Sequence, residues 1–181
     1  EFLVNSYTTS GQVYPAIASD ADGDFVVVWM SGGQDGSGYG IFGQRFDPAG
    51  SPAGSEFLVN SNTPHSQWQP KAAMLAAGEF VATWSVYDQF EVFGRRFDGA
   101  GLPLGNDFQV NTHTTYQQYN SAVAARSDGS FVVVWNSYFQ DGSFSGVFGQ
   151  RFAPGGAPEG NEFQVNTYTT GFQLRPAVAM T

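Results

Sequence analysis

Short apolar runs alternate with polar, glycine-rich stretches along the whole chain, and no segment of useful length carries a helical spacing. Three runs, FVVVW (25–29), FVATW (80–84) and FVVVW (131–135), are apolar at every position. A half-exposed strand would alternate, so these read as strands buried on both faces. A second run, IFGQRF (41–46), returns as VFGRRF (92–97) and VFGQRF (147–152). Short PAIA-type segments stand at 15–18, 70–73, 121–124 and 176–179. Gly, Pro, Asp and Ser bound all of these runs, which is strand punctuation.

The runs belong to an internal repeat, whose period decides the fold. EFLVN, EFLVN, DFQVN and EFQVN begin at residues 1, 56, 107 and 162, giving spacings of 55, 51 and 55. The units are 1–55, 56–106 and 107–161, with a partial unit at 162–181, in a single repeat domain. Each marker is followed by a glutamine in register: Gln12, Gln67, Gln118 and Gln173. Four strands are expected per unit: A (PAIA type), B (FVVVW type), C (IFGQRF type) and D (the marker). Register slips only between B and C. Trp29 to Ile41 is 12 residues, Trp84 to Val92 is 8 and Trp135 to Val147 is 12. That is how an exposed loop behaves, so trimming Gln34–Ser37 is expected to leave stability nearly unchanged.

An antiparallel four-stranded unit covered on both faces by its sequence neighbours is a β-propeller blade. The fold class is therefore all-β and propeller-type, with about three blades plus partial blades. Trp29, Trp84 and Trp135 are expected in the core, with Phe42, Phe46, Phe93, Phe97, Phe148 and Phe152 filling one face of each strand C. The glycine of each C strand is expected to admit a neighbouring blade. Strand A and strand D are left over at opposite ends of the chain. Three blades do not close a ring, so the chain is expected as part of a longer repeat, or as a homo-oligomer in which terminal strands of two copies complete each other's blades.

The run P-x-I-A followed by D-G-x-F-V-V-V-W resembles the inner strands of sialidase-like propellers. It also resembles tandem repeats of large secreted bacterial proteins. The resemblance covers the whole chain and implies a secreted or cell-surface location. One departure matters: the S-x-D-x-G-x-x-W box of sialidase-like blades is missing, and QDGSG (34–38) and QDGSF (140–144) hold only part of its composition. Sialidase activity is therefore not implied.

Composition narrows the chemistry. There is no cysteine, which excludes disulfides and thiolate metal sites, and Lys71 is the one lysine. A net charge of −9 repels nucleic acid and anionic membranes, and no apolar run is long enough to insert in a bilayer. Neutral ligands such as sugars remain. The D–A stretches and B–C loops emerge at one end of the meander, and aromatics beside amides and carboxylates suit sugar rings. The candidate ligand residues are Trp68, Gln67, Gln34, Asp35, Tyr39, His113, Gln140 and Asp141, against a reading in which these loops only hold turns. Arg45, Arg96 and Arg151 recur once per unit and read as structural, paired with Glu56, Asp107 or Glu162. No cofactor is expected. DADGD gives a weak calcium reading at Asp20, Asp22 and Asp24, but the other units lack its carboxylates, and a hairpin turn is preferred. Neither His65 nor His113 recurs beside a nucleophile and an acid, and no carboxylate pair stands out. The expectation is a non-catalytic glycan-binding or scaffold module. A purely structural self-assembling repeat is the first alternative, and a fragment of a glycoside hydrolase-type propeller the second.

Overall fold

A computed structural model describes residues 1–181, the side chain of Ala76 apart. Its twelve strands form three antiparallel sheets, in spatial order β1-β2-β3-β4, β5-β6-β7-β8 and β9-β10-β11-β12. The first holds β1 (Gln12–Ser19), β2 (Phe25–Gly32), β3 (Tyr39–Phe46) and β4 (Phe57–Leu58). The second holds β5 (Gln67–Met74), β6 (Phe80–Val86), β7 (Glu91–Phe97) and β8 (Phe108–Gln109), and the third β9 (Gln118–Ala125), β10 (Phe131–Tyr138), β11 (Ser145–Phe152) and β12 (Pro158–Gln164). One turn of 3-10 helix, Ala76–Gly78, links β5 to β6. The architecture is that of propeller blades. Each blade takes its outermost strand from the marker that opens the next sequence unit.

The sheets are blades because the second strand of each is apolar on both faces. β6 and the central part of β2 are wholly buried. One core cluster joins Val26, Val28 and Met30 of the first blade to Phe80, Ala82 and Trp84 of the second. Another joins Ala73, Val81 and Val92 of the second to Val133, Trp135 and Phe148 of the third. The first strands stand side by side, β1 against β5 and β5 against β9, which makes them the inner strands. Each carries a bulge where register slips, with a left-handed non-glycine residue: Tyr14 (φ 54°), Gln69 (φ 53°) and Asn120 (φ 54°). The extra residue turns the strand and leaves a backbone group free for the neighbouring blade. The Gln69 N–H accordingly points at Met30 Sδ, 3.4 Å away in the first blade.

The repeated phrase on the third strand is a set of distinct contacts. Phe42 pairs with Trp29 across the sheet. Phe46 stacks on Phe25 at 4.9 Å, as Phe97 stacks on Phe80 at 4.6 Å and Phe152 on Phe131 at 4.7 Å. Gln44 is buried and donates to the carbonyls of Arg45 and Gly54, and Gln150 to those of Arg151 and Gly160. In the second blade Arg95 replaces this glutamine, donating to Gly105 O and to Val59 O of the first blade's marker. The glycine differs from expectation. A Cβ on Gly43 would sit 2.8 Å from the Phe57 ring, which belongs to the same sheet's outer strand and not to a neighbouring blade. Phe108 covers Gly94 in the same way. The rings then reach onward: Phe57 lies 5.6 Å from Phe97, and Phe108 lies 5.4 Å from Phe152. The glycine is needed so that an outer-strand phenylalanine can bridge two blades.

The recurring arginines also differ from expectation. Arg45 packs its stem against Gly101 of the next blade, and Arg96 packs against Gly156. Arg96 faces Glu79 at 3.8 Å, and Arg151 lies over the Phe163 ring. The acid that Arg was expected to pair with, at Glu56, Asp107 and Glu162, instead accepts the N–H of Ser6 (2.7 Å), Ser61 (2.9 Å) and Thr112 (2.8 Å). These residues follow the preceding marker, so the carboxylate latches successive outer strands together. Asp107 has an arginine nearby, but it is Arg95, at 3.6 Å.

Candidate functional site

Order and direction of the strands bring the marker-to-inner-strand segments and the second-to-third-strand loops to one end. Backbone bonds tie them together there: Tyr87 N–H to Ser66 O (2.9 Å), Gln118 N–H to Phe90 O (2.7 Å) and Tyr138 N–H to Gln117 O (2.9 Å). His65 and Asp88 add an exposed link at 2.7 Å across the second blade's rim.

Beneath this end lies a buried amide network. The marker asparagines accept a third-strand N–H, from Ile41 to Asn60 (2.7 Å), from Val92 to Asn111 (2.8 Å) and from Val147 to Asn166 (2.7 Å). The in-register glutamines complete it. Gln12 and Gln118 accept the indole N–H of Trp29 (2.9 Å) and Trp135 (3.1 Å). Gln67 accepts from Asn60 and donates to Pro64 O. Gln67 is thus fully buried and its hydrogen bonds hold a turn, which removes it from the ligand candidates.

Trp68, its neighbour, is different. Inner-strand alternation turns it outward, where it stacks on Tyr87 at 4.7 Å and 20°. Tyr87 in turn leans on Phe90 at 5.8 Å. This aromatic wall lines a cleft of about 360 Å³ between the second and third blades, whose other side carries Gln117 and Tyr119. Tyr119 packs on Tyr138 at 5.6 Å. Burial, with help from the Tyr138 hydroxyl, pushes its pKa up to about 12, so it stays a neutral phenol. The size suits a small ligand, and flat apolar walls beside amide and hydroxyl groups suit a sugar ring, whose C–H face stacks while its hydroxyls hydrogen-bond.

The structure divides the other candidates. His113 and Gln140 share a separate polar hollow with Thr112 and Glu162, on the face the third blade turns to the second. Gln140 donates there to Glu162, as Gln34 does to Glu56 in the first blade. Asp35 and Asp141 fold back over Gly40 and Gly146, each accepting a serine N–H with its other oxygen. These loops are therefore half-buried latches, contrary to the expected free loops. Tyr39 packs against the core between the first two blades. Asp20, Asp22 and Asp24 sit in a hairpin turn at the opposite end, where Asp20 accepts the Asp22 N–H and Gly23 holds φ 91°. Among the described residues no three His, Cys, Asp or Glu side chains are grouped to hold a metal ion.

Sequence reading found Trp68 and missed its partners. Tyr87 and Phe90 bracket the short loop YDQF, whose aromatic ends are the available signal. Tyr119 lies one residue past the polar D–A stretch THTTYQQ (112–118).

No protein-family model and no curated protein matches the sequence. Solved structures do. A protein of unknown function from Dyadobacter fermentans superposes with a TM-score of 0.63 at 10% identity, covering 91% of this chain and 44% of that one. An α-L-arabinanase from Penicillium chrysogenum, solved with arabinobiose, gives 0.59 at 14% identity, covering 88% and 50%. A thermostable family-43 glycoside hydrolase gives 0.54 at 11% identity, covering 94% and 62%. The likeness establishes the β-propeller fold. This chain spans about half the length of the proteins it matches. Two of the three are hydrolases of glycosidic bonds, and this corrects the expectation of a non-enzymatic chain, which rested on the lack of a recognisable catalytic group in the sequence. Among the described residues, no helix is long and apolar enough to cross a membrane.

Proposed function

We propose that this chain is part of a carbohydrate-acting propeller of the glycoside hydrolase type, and that the cleft between its second and third blades holds a sugar ring. The observation that carries the reading is the Trp68–Tyr87 stack, an exposed aromatic wall facing Gln117 and the neutral phenol of Tyr119. The fold shared with glycosidic-bond hydrolases supports the ligand class, and the absence of lysine beyond Lys71 with a net charge of −9 favours a neutral ligand. The cleft is lined mainly by aromatic and amide groups, so its part in this reading is to grip a sugar ring. Action on a polysaccharide outside the cell fits this reading.

Titration with neutral arabino-, xylo- and manno-oligosaccharides, followed by calorimetry, tests it. Binding should appear with one class and weaken about tenfold or more in Trp68→Ala, the size of a lost aromatic anchor. Binding that survives Trp68→Ala unchanged places the ligand elsewhere, and no binding to any class removes the reading.

A further inference from the structure

The residue after each strand-two tryptophan stands opposite the bulge of the next inner segment. In the first blade Met30 Sδ takes the Gln69 N–H at 3.4 Å, and in the third Asn136 Oδ1 takes the Arg175 N–H at 3.0 Å. The second blade has Ser85 at this position, and the bulge that follows is Asn120. A serine side chain is shorter than methionine or asparagine and does not reach across. Ser85 Oγ is buried with no hydrogen-bond partner in the protein, and the whole residue is 5% exposed.

The short side chain and the cleft are one feature. Ser85 lines the cleft, and Trp68 is its cross-strand partner in the register of β5 on β6. Opposed residues of an antiparallel pair share a face, so the indole and the hydroxyl both stand on the side turned to the third blade. Two residues further from the rim, Thr83 Oγ1 meets Ser121 Oγ at 3.0 Å across the same seam. The first blade has Val28 in place of Thr83, and β5 has Pro70 in place of Ser121. The Thr83–Ser121 pair is satisfied inside the protein, and Ser85 Oγ is not. A buried hydroxyl without a partner costs free energy that a hydrogen bond recovers, and it can both donate and accept.

We propose that Ser85 is the specificity-determining residue of this cleft, its hydroxyl exchanging a hydrogen bond with a ring hydroxyl of the neutral sugar stacked on Trp68. The inference rests on the reading of the cleft as a sugar seat. Trp68 holds a ring by its C–H face, which many sugars share. A hydroxyl fixed in the floor discriminates, because epimers place their hydroxyls differently on the same ring. A site with a buried polar group to satisfy disfavours a ring that leaves that group unpaired. Met30 and Asn136 leave no such group free at the equivalent positions, so the second blade alone of the three offers it.

Calorimetry with neutral arabino-, xylo- and manno-oligosaccharides on the parent, Ser85→Ala and Ser85→Met tests it, together with the urea midpoint of each protein. Ser85→Ala removes an unpaired hydroxyl, so its midpoint should match or exceed the parent's. Its affinity for the favoured class should fall roughly three- to tenfold, and the preference over the other classes should narrow. Trp68→Ala, by contrast, should lower affinity without changing the order of preference. Ser85→Met brings a sulfur to the Asn120 N–H, as Met30 does to Gln69. Binding should then be lost, and hydrogen exchange at the Asn120 amide should slow by about tenfold. A Ser85→Ala protein that binds every class as the parent does overturns this inference and leaves the sugar reading standing, as does a Ser85→Met protein that binds undiminished. A Ser85→Ala midpoint well below the parent's also overturns it, because the hydroxyl would then serve the fold. A parent that binds no class removes the sugar reading and this inference together.

Discussion

The second blade and its two neighbours solve one problem by different means. In the first and third blades, a carboxylate from the loop lies over a third-strand glycine. Asp35 Oδ2 stands 2.7 Å from where a Cβ on Gly40 would be, and Asp141 Oδ2 stands 2.6 Å from the same point on Gly146. The second blade's loop is four residues shorter, since Trp84 to Val92 spans 8 residues where the others span 12. It has no such aspartate, and the strand position held by Gly40 and Gly146 is Glu91. Glu91 is buried and takes a hydrogen bond from Asn111. Each blade thus sets a carboxylate at one place, from the loop in two cases and from the strand in one. Loop length and the glycine are a coupled pair of choices. The loop is not free surface variation.

The comparison separates a shared core from a divergent rim, and the largest expected effect tests the core. Trp84 is 1% exposed and Trp135 is fully buried, each in a cluster spanning two blades. Trp84→Ala and Trp135→Ala should each lower stability by about 3–5 kcal/mol, the range for a large aromatic removed from packed surroundings. Equal losses in urea denaturation would show that short-loop and long-loop blades share one core. A Trp84→Ala loss far below that of Trp135→Ala would mean the second blade is packed on different terms.

The coupled choices at the rim give the next effect. Deleting Gln34–Ser37 removes the Gln34–Glu56 bond and the Asp35 carboxylate, and should cost about 1.5–3 kcal/mol, the range for a hydrogen bond to a charged group. Adding Gly40→Glu to that deletion should recover most of the loss, because Asn60 stands where Asn111 stands. Gly40→Glu with the loop intact should instead destabilise, since the new side chain meets Asp35. Denaturant midpoints of the three variants decide the matter: a deletion that costs nothing, or one that Gly40→Glu does not repair, breaks the equivalence of Asp35 and Glu91.

Much of the fold was legible because strand signals are local. The all-apolar FVVVW runs, the Asp-Gly turns and the fourfold marker each state their role within a few residues. The less legible features depend on which ring meets which strand. That Gly43 serves Phe57 of its own sheet, or that Glu56 latches Ser6 and not an arginine, follows from register between segments 14 and 50 residues apart. Trp68 was legible as the one tryptophan outside the repeat. Its wall with Tyr87 was not, because the two residues face each other only once the register of β5 on β6 is set.

The smallest expected effect isolates the one rim carboxylate carried by a strand. Burial pushes the pKa of Glu91 up; hydrogen bonds, from Asn111 first, pull it partway back, and the negative charge of Glu162 adds to the rise. The native protein therefore holds this proton more tightly than the unfolded chain does. Well below the ordinary glutamate range both states are protonated and the group does not affect the pH dependence. As pH rises through that range the unfolded chain releases its proton first, so the native state loses stability relative to it, and the loss is complete once pH passes the raised native value. Glu91→Gln keeps the shape and removes the titration. Its stability relative to the parent should climb as pH rises through the ordinary glutamate range and level off once pH passes the raised native value. Any constant offset reports only the altered bond to Asn111; the slope is the signal. Urea midpoints of both proteins across that range supply it, and a difference that stays flat would show that Glu91 is as well solvated in the folded blade as in the unfolded chain.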